Sequence, residues 1–169
     1  MRNVFLLALA AVASGGLLAA DVVDLNGTWS LTAFPQPDDG AVRRLPLPPG
    51  LETRHYAATV PGCCEMELVK AGELPDPLVG FNAFKFRDYE GHQWLYTRTF
   101  SLGEVPADEK AVLEFDGLDT LCDVFVNGRK VGDRVLAPAA TQFQRHLSYV
   151  EYDLSGLLRE GRKCDRRAR

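Results

Sequence analysis

The sequence predicts an all-β fold, built as a sandwich or barrel of short strands. Short runs of alternating apolar and polar residues are rich in β-branched and aromatic side chains. Clusters of Gly, Pro, Asn and Asp separate these runs, and one Asn-Gly pair stands between two of them, as in a β-hairpin. The 169 residues, 46% of them hydrophobic, suffice for one domain with a buried core, and the turn density excludes a helical bundle.

The first twenty residues have the composition of a cleaved leader that directs export. Arg2 gives a positive start, residues 4–13 are uninterrupted and apolar, and Ala20 offers a small residue for cleavage. An apolar run of about ten residues is too short to span a bilayer, which requires roughly 20. We therefore expect a signal peptide over residues 1–20, a secreted or periplasmic protein, and no membrane segment after cleavage.

The next part of the chain predicts one strand, two irregular loops and one short helix. Residues 28–32 alternate and favour β-structure. Residues 35–50 contain five prolines and two glycines, which predicts an exposed loop or an irregular edge. Residues 63–72 predict one short helix or turn, which ends at a glycine. Residues 74–82, with two prolines and a glycine, predict a fixed loop without regular structure.

The second half of the chain predicts the remaining strands and a hairpin. The predicted strands are residues 94–102, 111–115, 121–126 and 149–154. The third of these runs into Asn127-Gly128, and another extended run leads away from it. Both turn residues tolerate the positive φ that a tight hairpin requires. In the predicted strand over residues 94–102, one face carries Trp94, Tyr96, Arg98 and Phe100.

Four cysteines are spaced in a way that predicts no metal site. Cys122 alternates in phase with two valines of its strand and is predicted to be a buried thiol. Cys63 and Cys64 are adjacent, and adjacent cysteines rarely bond each other because the geometry is strained. A bridge from either of them to Cys164 stays open in an exported protein. No Cys-x-x-Cys spacing is present, and the sequence predicts neither a metal nor a cofactor.

The charge balance disfavours nucleic acid as a partner. The formal net charge is −4 at pH 7, and loss of the leader with its single arginine makes it −5. Residues 162–169 are a local exception, as part of an eleven-residue end with six basic residues. We favour a truncation or read-through over a basic tail with its own role, and we place the end of the domain at Gly161.

Five short motifs follow one another in a fixed order over residues 24–161. They are Leu25-Asn26-Gly27-Thr28-Trp29; Val60-Pro61-Gly62 followed by Leu74-Pro75-Asp76-Pro77, Gly80 and Asn82; Trp94-Leu95-Tyr96 with Arg98-Thr99-Phe100; Phe115-Asp116-Gly117-Leu118-Asp119-Thr120 with Val124-Phe125-Val126-Asn127-Gly128; and Tyr152-Asp153-Leu154 with Leu157, Leu158 and Gly161. Together they resemble the N-terminal sugar-binding domain of family 2 glycoside hydrolases, in the β-mannosidase-like branch. After Gly161 this sequence departs from the family, because no alternating apolar strand follows.

This resemblance implies a galactose-binding-like domain, folded as a jelly-roll-like antiparallel β-sandwich with one short helix and incomplete at its C-terminus. In such enzymes the domain packs against an immunoglobulin-like domain and a catalytic (β/α)8 barrel. Retaining hydrolysis then uses two glutamates about 5 Å apart, one as acid/base and one as nucleophile. Those glutamates belong to the barrel, so the resemblance implies that residues 21–161 hold no catalytic residue and are inactive alone.

Three residues are candidates for sugar binding. Asp76 and Asn82 lie in the loop that, in the resembling enzymes, helps to shape the sugar pocket, and their side chains suit sugar hydroxyls. Turn formation is the alternative for both. Trp94 offers a flat face for a sugar ring, with a core position as the alternative. His92 and His146 lie in no recognisable nucleophile arrangement, and we interpret both as surface or loop histidines.

The resemblance leaves two functions open. The chain is expected to be the non-catalytic N-terminal domain of a secreted β-mannosidase-like enzyme whose full-length form hydrolyses terminal β-mannosides. Its partners would then be carbohydrate and the barrel and immunoglobulin-like domains of that enzyme. The alternative is a stand-alone carbohydrate-binding module, since one sandwich fold hosts many functions.

Overall fold

A computed structural model describes residues 5–13, 22–102, 110–118, 121–134, 150–154 and 157. The described strands form two sheets, one of six strands and one of two. In chain order the elements are β1 (Phe5–Ala13), β2 (Gly27–Pro35), β3 (Arg54–Val60), α1 (Cys64–Lys70), a 3₁₀ helix (Asn82–Tyr89), β4 (His92–Leu102), β5 (Val112–Phe115), β6 (Cys122–Val126), β7 (Arg129–Arg134) and β8 (Val150–Asp153).

The larger sheet has the strand order β3-β2-β4-β1-β6-β7. Three of its pairings are antiparallel, namely β2 with β3, β2 with β4, and β6 with β7. Strand β1 pairs in parallel with β4 on one side and with β6 on the other. The antiparallel sandwich expected from the sequence is confirmed, and the parallel strand β1 is a departure within it.

Strand β1 lies in the segment predicted to be a cleaved leader. Its register runs from Phe5 opposite Trp94 to Ala13 opposite Leu102, over all nine residues of the strand. In the uncleaved chain this segment therefore occupies the middle of the larger sheet. Cleavage of residues 1–20 stays a prediction.

The main core lies between the two sheets. Leu113 of β5 and Leu154, just after β8, are buried in one cluster with Trp29, Trp94 and Val124 of the larger sheet. Residues on the two inner faces of a sandwich pack against each other in this way. The cluster also contains Cys122, so the prediction of a buried thiol at that position is confirmed.

A smaller cluster lies on the opposite face of the larger sheet. Phe34, Leu95 and Phe125 come from three strands and are covered by Val42 of the 36–53 loop. Gln93 is 0% exposed, accepting a hydrogen bond from the Val42 N–H at 2.6 Å and donating one to its carbonyl at 3.0 Å. One side-chain amide thus satisfies both backbone groups of a residue in a loop, and the predicted irregular loop is held against the sheet.

A buried carboxylate joins the same loop to the β6–β7 hairpin. Asp123 is 0% exposed, and its Oδ2 accepts a hydrogen bond from Arg43 Nε at 2.9 Å. Lys130 Nζ lies 2.6 Å from the other oxygen and 2.8 Å from Asp133 Oδ2. Two cations therefore compensate a carboxylate that has lost its contact with water.

The predicted hairpin is confirmed at Asn127-Gly128. Both turn residues have positive φ, 50° and 76° respectively. Asn and Gly tolerate this backbone conformation best, which is why the pair marks tight hairpins. The predicted short helix is also present as α1. The 3₁₀ helix was not predicted, because residues 82–89 carry no buried side chain and so no periodic apolar face.

Within the residues that the structure describes, no helix has the length and apolarity needed to cross a bilayer. The predicted basic tail, residues 162–169, lies outside the described residues, as do Cys164 and His146. The possible bridge to Cys164 therefore stays a prediction. Among the described cysteines, Cys63 is exposed and Cys64 is buried.

Candidate functional site

Two of the three predicted sugar-binding residues lie together in one turn. Asp76 Oδ1 accepts a hydrogen bond from the Leu78 N–H at 2.9 Å, and Asn82 Nδ2 donates one to the Asp76 carbonyl at 3.0 Å. These bonds shape the loop between α1 and the 3₁₀ helix, which is the turn chemistry that both residue types favour. Asp76 is exposed, so its carboxylate also faces solvent. Their role in sugar binding stays a prediction.

The same loop and the first turn of the 3₁₀ helix carry an exposed apolar surface, which we call the 78–84 patch. Its side chains are Leu78, Val79, Phe81 and Phe84, with exposed fractions of 92%, 60%, 82% and 62%. The rings of Phe81 and Phe84 lie 6.2 Å apart between centroids. Clustered apolar side chains that face solvent mark surfaces at which another molecule or domain docks.

The third predicted residue, Trp94, is a core residue of β4. Its side chain is 1% exposed, and its ring stacks on Tyr89 of the 3₁₀ helix at 6.1 Å between centroids. This is the core position that the sequence offered as the alternative, and a role of Trp94 in sugar binding stays a prediction. Its Nε1 is buried and has no hydrogen-bond partner among the described residues.

A polar cluster beside Trp94 was not predicted, and we call it the Glu73 cluster. Glu73 Oε2 accepts hydrogen bonds from Arg54 Nη1 at 3.1 Å and from the Tyr89 hydroxyl at 3.0 Å. Burial opposes ionisation of this carboxyl, but the hydrogen bond from Tyr89, the nearby Tyr56 hydroxyl and the charge of Arg54 together lower its pKa. The carboxylate therefore stays ionised at neutral pH.

His92, at the start of β4, lies between this cluster and the core. Its ring is half-buried, with centroids 5.0 Å from Tyr89 and 6.2 Å from Trp94. Burial, and after it the charge of Arg54, lowers the pKa of His92, so the ring is neutral at pH 7. His92 was interpreted as a surface or loop histidine, whereas it lies at the start of β4 with a half-buried ring. No sequence signal indicated it, because the 3₁₀ helix that covers the ring was itself not predicted.

A recess of about 230 Å³ opens between α1 and the 3₁₀ helix. Phe86 and Tyr89 line it with half-buried aromatic rings, and Leu68 and Trp94 line it with side chains that are 0% and 1% exposed. Its other lining residues include Glu65, Arg87 and Glu90, and Arg87 Nε lies 3.6 Å from Glu90 Oε1. Aromatic surface beside charged hydrogen-bonding groups suits a ligand that presents both C–H faces and hydroxyls.

A wider, shallower groove of about 580 Å³ runs over β2, β3 and β4. Its lining includes Ser30, Thr97 and Thr99, whose hydroxyls offer donors and acceptors. Arg98 also lines the groove, but its Nη1 donates to the carbonyls of Leu25 and Asn26 at 2.9 and 2.6 Å. That guanidinium therefore fixes the chain entering β2.

The described residues hold no group of three or more His, Cys, Asp or Glu side chains that could bind a metal ion. The arrangement at the Glu73 cluster can hold one carboxylate ionised and one imidazole neutral. Burial raises the pKa of the Cys64 thiol far above its usual range, so this sulfur is not an activated nucleophile. The ionised Glu73 carboxylate can accept hydrogen bonds from a polar ligand.

In a comparison with known families, residues 33–164 match a family model. The matching family is described as the glycosyl hydrolase 2 galactose-binding domain-like family. The matched residues make up well over half of the chain and include every described strand from β3 to β8, together with the recess and the 78–84 patch.

Several curated relatives carry β-mannosidase names. Beta-mannosidase B of Aspergillus terreus is 36% identical over 74 residues, which cover 44% of this chain and 9% of the relative. Beta-mannosidase B of Thermothelomyces thermophilus is 29% identical over 110 residues, covering 65% and 11%. A probable beta-mannosidase of Caenorhabditis elegans is 34% identical over 80 residues, covering 47% and 9%. The chain thus spans about a tenth of the length of these relatives.

Proposed function

Because the chain belongs to the glycosyl hydrolase 2 galactose-binding domain-like family, we propose that it is the non-catalytic N-terminal domain of a secreted β-mannosidase-like glycoside hydrolase. The similarity to proteins named as β-mannosidases supports the substrate class. The predicted leader supports secretion or passage to the periplasm. The observation that carries the proposal is the family match over residues 33–164.

The 78–84 patch is the surface we propose for docking the catalytic barrel. Four apolar side chains face solvent there, three from the loop before the 3₁₀ helix and one from the helix itself, and two of them are phenylalanines more than 60% exposed. Removal of such a surface from water favours an interface by roughly 25 cal/mol per Å² of apolar area, before the costs of association are subtracted. The loop itself is held in shape by the bonds of Asp76 and Asn82, so the patch is presented without a large ordering cost.

The first test is hydrolysis of an aryl β-mannoside by the purified chain. We expect no turnover, because the proposal assigns the two catalytic glutamates to a barrel outside this domain. Release of the aryl group that follows the chain through purification would contradict a non-catalytic role.

The docking proposal is tested with a relative's catalytic part. The Aspergillus terreus enzyme, expressed without its matched region, is mixed with this chain and their association is measured by sedimentation. We expect association that Phe81→Ser weakens at least tenfold, because a hot-spot side chain at an interface contributes on the order of 1.4 kcal/mol or more. Val22→Ser is the matched control, since Val22 is 95% exposed and outside the patch. Equal loss in both variants would contradict docking at the patch.

A stand-alone carbohydrate-binding module is the second candidate, and the 230 Å³ recess supports it. In that case mannose or mannobiose would bind with roughly millimolar affinity. Arg87→Ala would weaken binding several-fold, because Arg87 lines the recess, whereas the exposed Arg44 in another loop serves as the control. Calorimetric titration without heat at millimolar sugar would remove this candidate.

A further inference from the structure

Strand β1 joins two parts of the larger sheet that share no other described strand pairing. It pairs with β4 over nine residues and with β6 over five, whereas β4 and β6 are not paired with each other. The segment that holds this central place is also the segment predicted to be removed as a leader. Removal would leave β4 and β6, the strands on either side of β1, each with one open backbone edge in the middle of the sheet.

Both faces of this position are apolar. On one face β4 and β6 contribute Trp94, Tyr96 and Val124 to the main core, and on the other they contribute Leu95 and Phe125 to the smaller cluster. A segment that pairs with both strands faces an apolar cluster on each side, so apolar residues at every position suit it better than alternating ones. The run Phe-Leu-Leu-Ala-Leu-Ala-Ala-Val-Ala of β1 fits this pattern.

We propose that, once the leader is removed, the gap between β4 and β6 binds an extended, uncharged and continuously apolar peptide segment of about nine residues in its place. Backbone hydrogen bonds to both open edges supply the affinity, and the two apolar clusters select against segments with alternating polar residues. The gap is then a strand-acceptor site, separate from the proposed sugar and barrel surfaces.

The experiment begins with the full chain and does not require refolding. A site for a sequence-specific protease is inserted between residues 14 and 21, and the folded chain is cut. We expect the released fragment to stay bound through gel filtration, because its pairing is unchanged. Dilution with an excess of a peptide of residues 4–14, carrying two added lysines for solubility, then exchanges the fragment.

Three peptides test the specificity of the site, and hydrogen exchange tests where the peptide binds. The peptide with Leu9→Pro removes a backbone donor, and the peptide with Ala8→Ser and Ala10→Ser makes the strand alternate. We expect each change to reduce exchange at least tenfold. In hydrogen-exchange measurements the unmodified peptide should protect amides of residues 92–102 and 122–126.

Three results would overturn the proposal. One is loss of the fragment after cutting while the amides of β4 and β6 stay protected. Another is equal exchange by all three peptides, which indicates non-specific apolar adhesion. The third is protection of the two strands through dimers of the cut chain, which would make a second copy the occupant. None of these results depends on sugar binding or on docking at the 78–84 patch, so failure here is distinguishable from failure of the proposed function.

Discussion

At the scale of single residues, the Glu73 cluster combines groups that are far apart in the sequence. Arg54 comes from β3, Glu73 follows α1, and Tyr89 ends the 3₁₀ helix. A sequence pattern could not indicate this arrangement, since each residue alone is an ordinary surface type and the contacts depend on an unpredicted helix. Resemblance suggested Asp76 and Asn82 as sugar-binding residues, and a flat aromatic face suggested Trp94. The structure joins Asp76 and Asn82 in one turn and places Trp94 in the core.

Replacement of Glu73 tests what its ionisation contributes. Because the folded-state pKa lies below the ordinary 4.5, the stabilisation is present above about pH 4.5 and is lost as the pH falls through the folded value. Glu73→Gln should therefore lower the melting temperature at neutral pH by about 1–2 °C and have no effect in strong acid. Thermal unfolding at both pH values measures this difference, with Glu52→Gln as an exposed control. An equal difference at both pH values would rule out the ionised carboxylate as its source.

At the scale of elements, alternation identified strands well and irregular segments poorly. Strands β2, β4 and β6 combine alternating residues with one face in the main core, so the pattern carried their structure. The 3₁₀ helix has no buried side chain and left no pattern. The sequence of β1 has a clear pattern with two interpretations, because a continuous apolar run is typical both of a leader and of a strand buried on two faces.

The contact between the 36–53 loop and the β6–β7 hairpin depends on Asp123. Asp123→Asn should destabilise the fold by about 2 kcal/mol, because Arg43 and Lys130 lose the charge that compensates them. Asp133→Asn is the matched control, since Asp133 is exposed and also contacts Lys130, and it should cost less than about 1 kcal/mol. Denaturant unfolding gives both free energies. Equal losses would mean that burial of Asp123 adds nothing to the interaction.

At the scale of the whole molecule, the larger sheet separates the main core from the smaller cluster, which we also call the inner core and the outer cluster. The sandwich prediction implied only the inner core. The outer cluster requires the proline-rich loop to fold back over the sheet, which Gln93 achieves through Val42. Loop composition predicts exposure, not such a contact, so the outer core could not be deduced from sequence. Phenylalanines are accordingly found in opposite roles, with Phe34 fully buried and Phe81 82% exposed.

Substitution of these two phenylalanines should separate the stability of the fold from association at the 78–84 patch. Phe34→Ala should destabilise the fold by about 3–5 kcal/mol, since it leaves a cavity in the outer cluster. Phe81→Ala should change the free energy of unfolding by less than about 0.5 kcal/mol, because its side chain is already in water. Denaturant unfolding of both variants makes the comparison. A large loss for Phe81→Ala would show that the 78–84 patch is a structural element and not a free surface.

The adjacent pair Cys63 and Cys64 allows local unfolding around α1 to be measured by thiol labelling. One thiol is exposed, whereas its neighbour is 1% exposed and is kept protonated by burial. An alkylating reagent therefore reaches Cys63 directly, but reaches Cys64 only during the moments when α1 lifts away from the sheet. The ratio of the two labelling rates therefore measures how often this region unfolds locally. The rate at Cys63 corrects for the reactivity of the reagent, and the rate at Cys64 reports the frequency of opening.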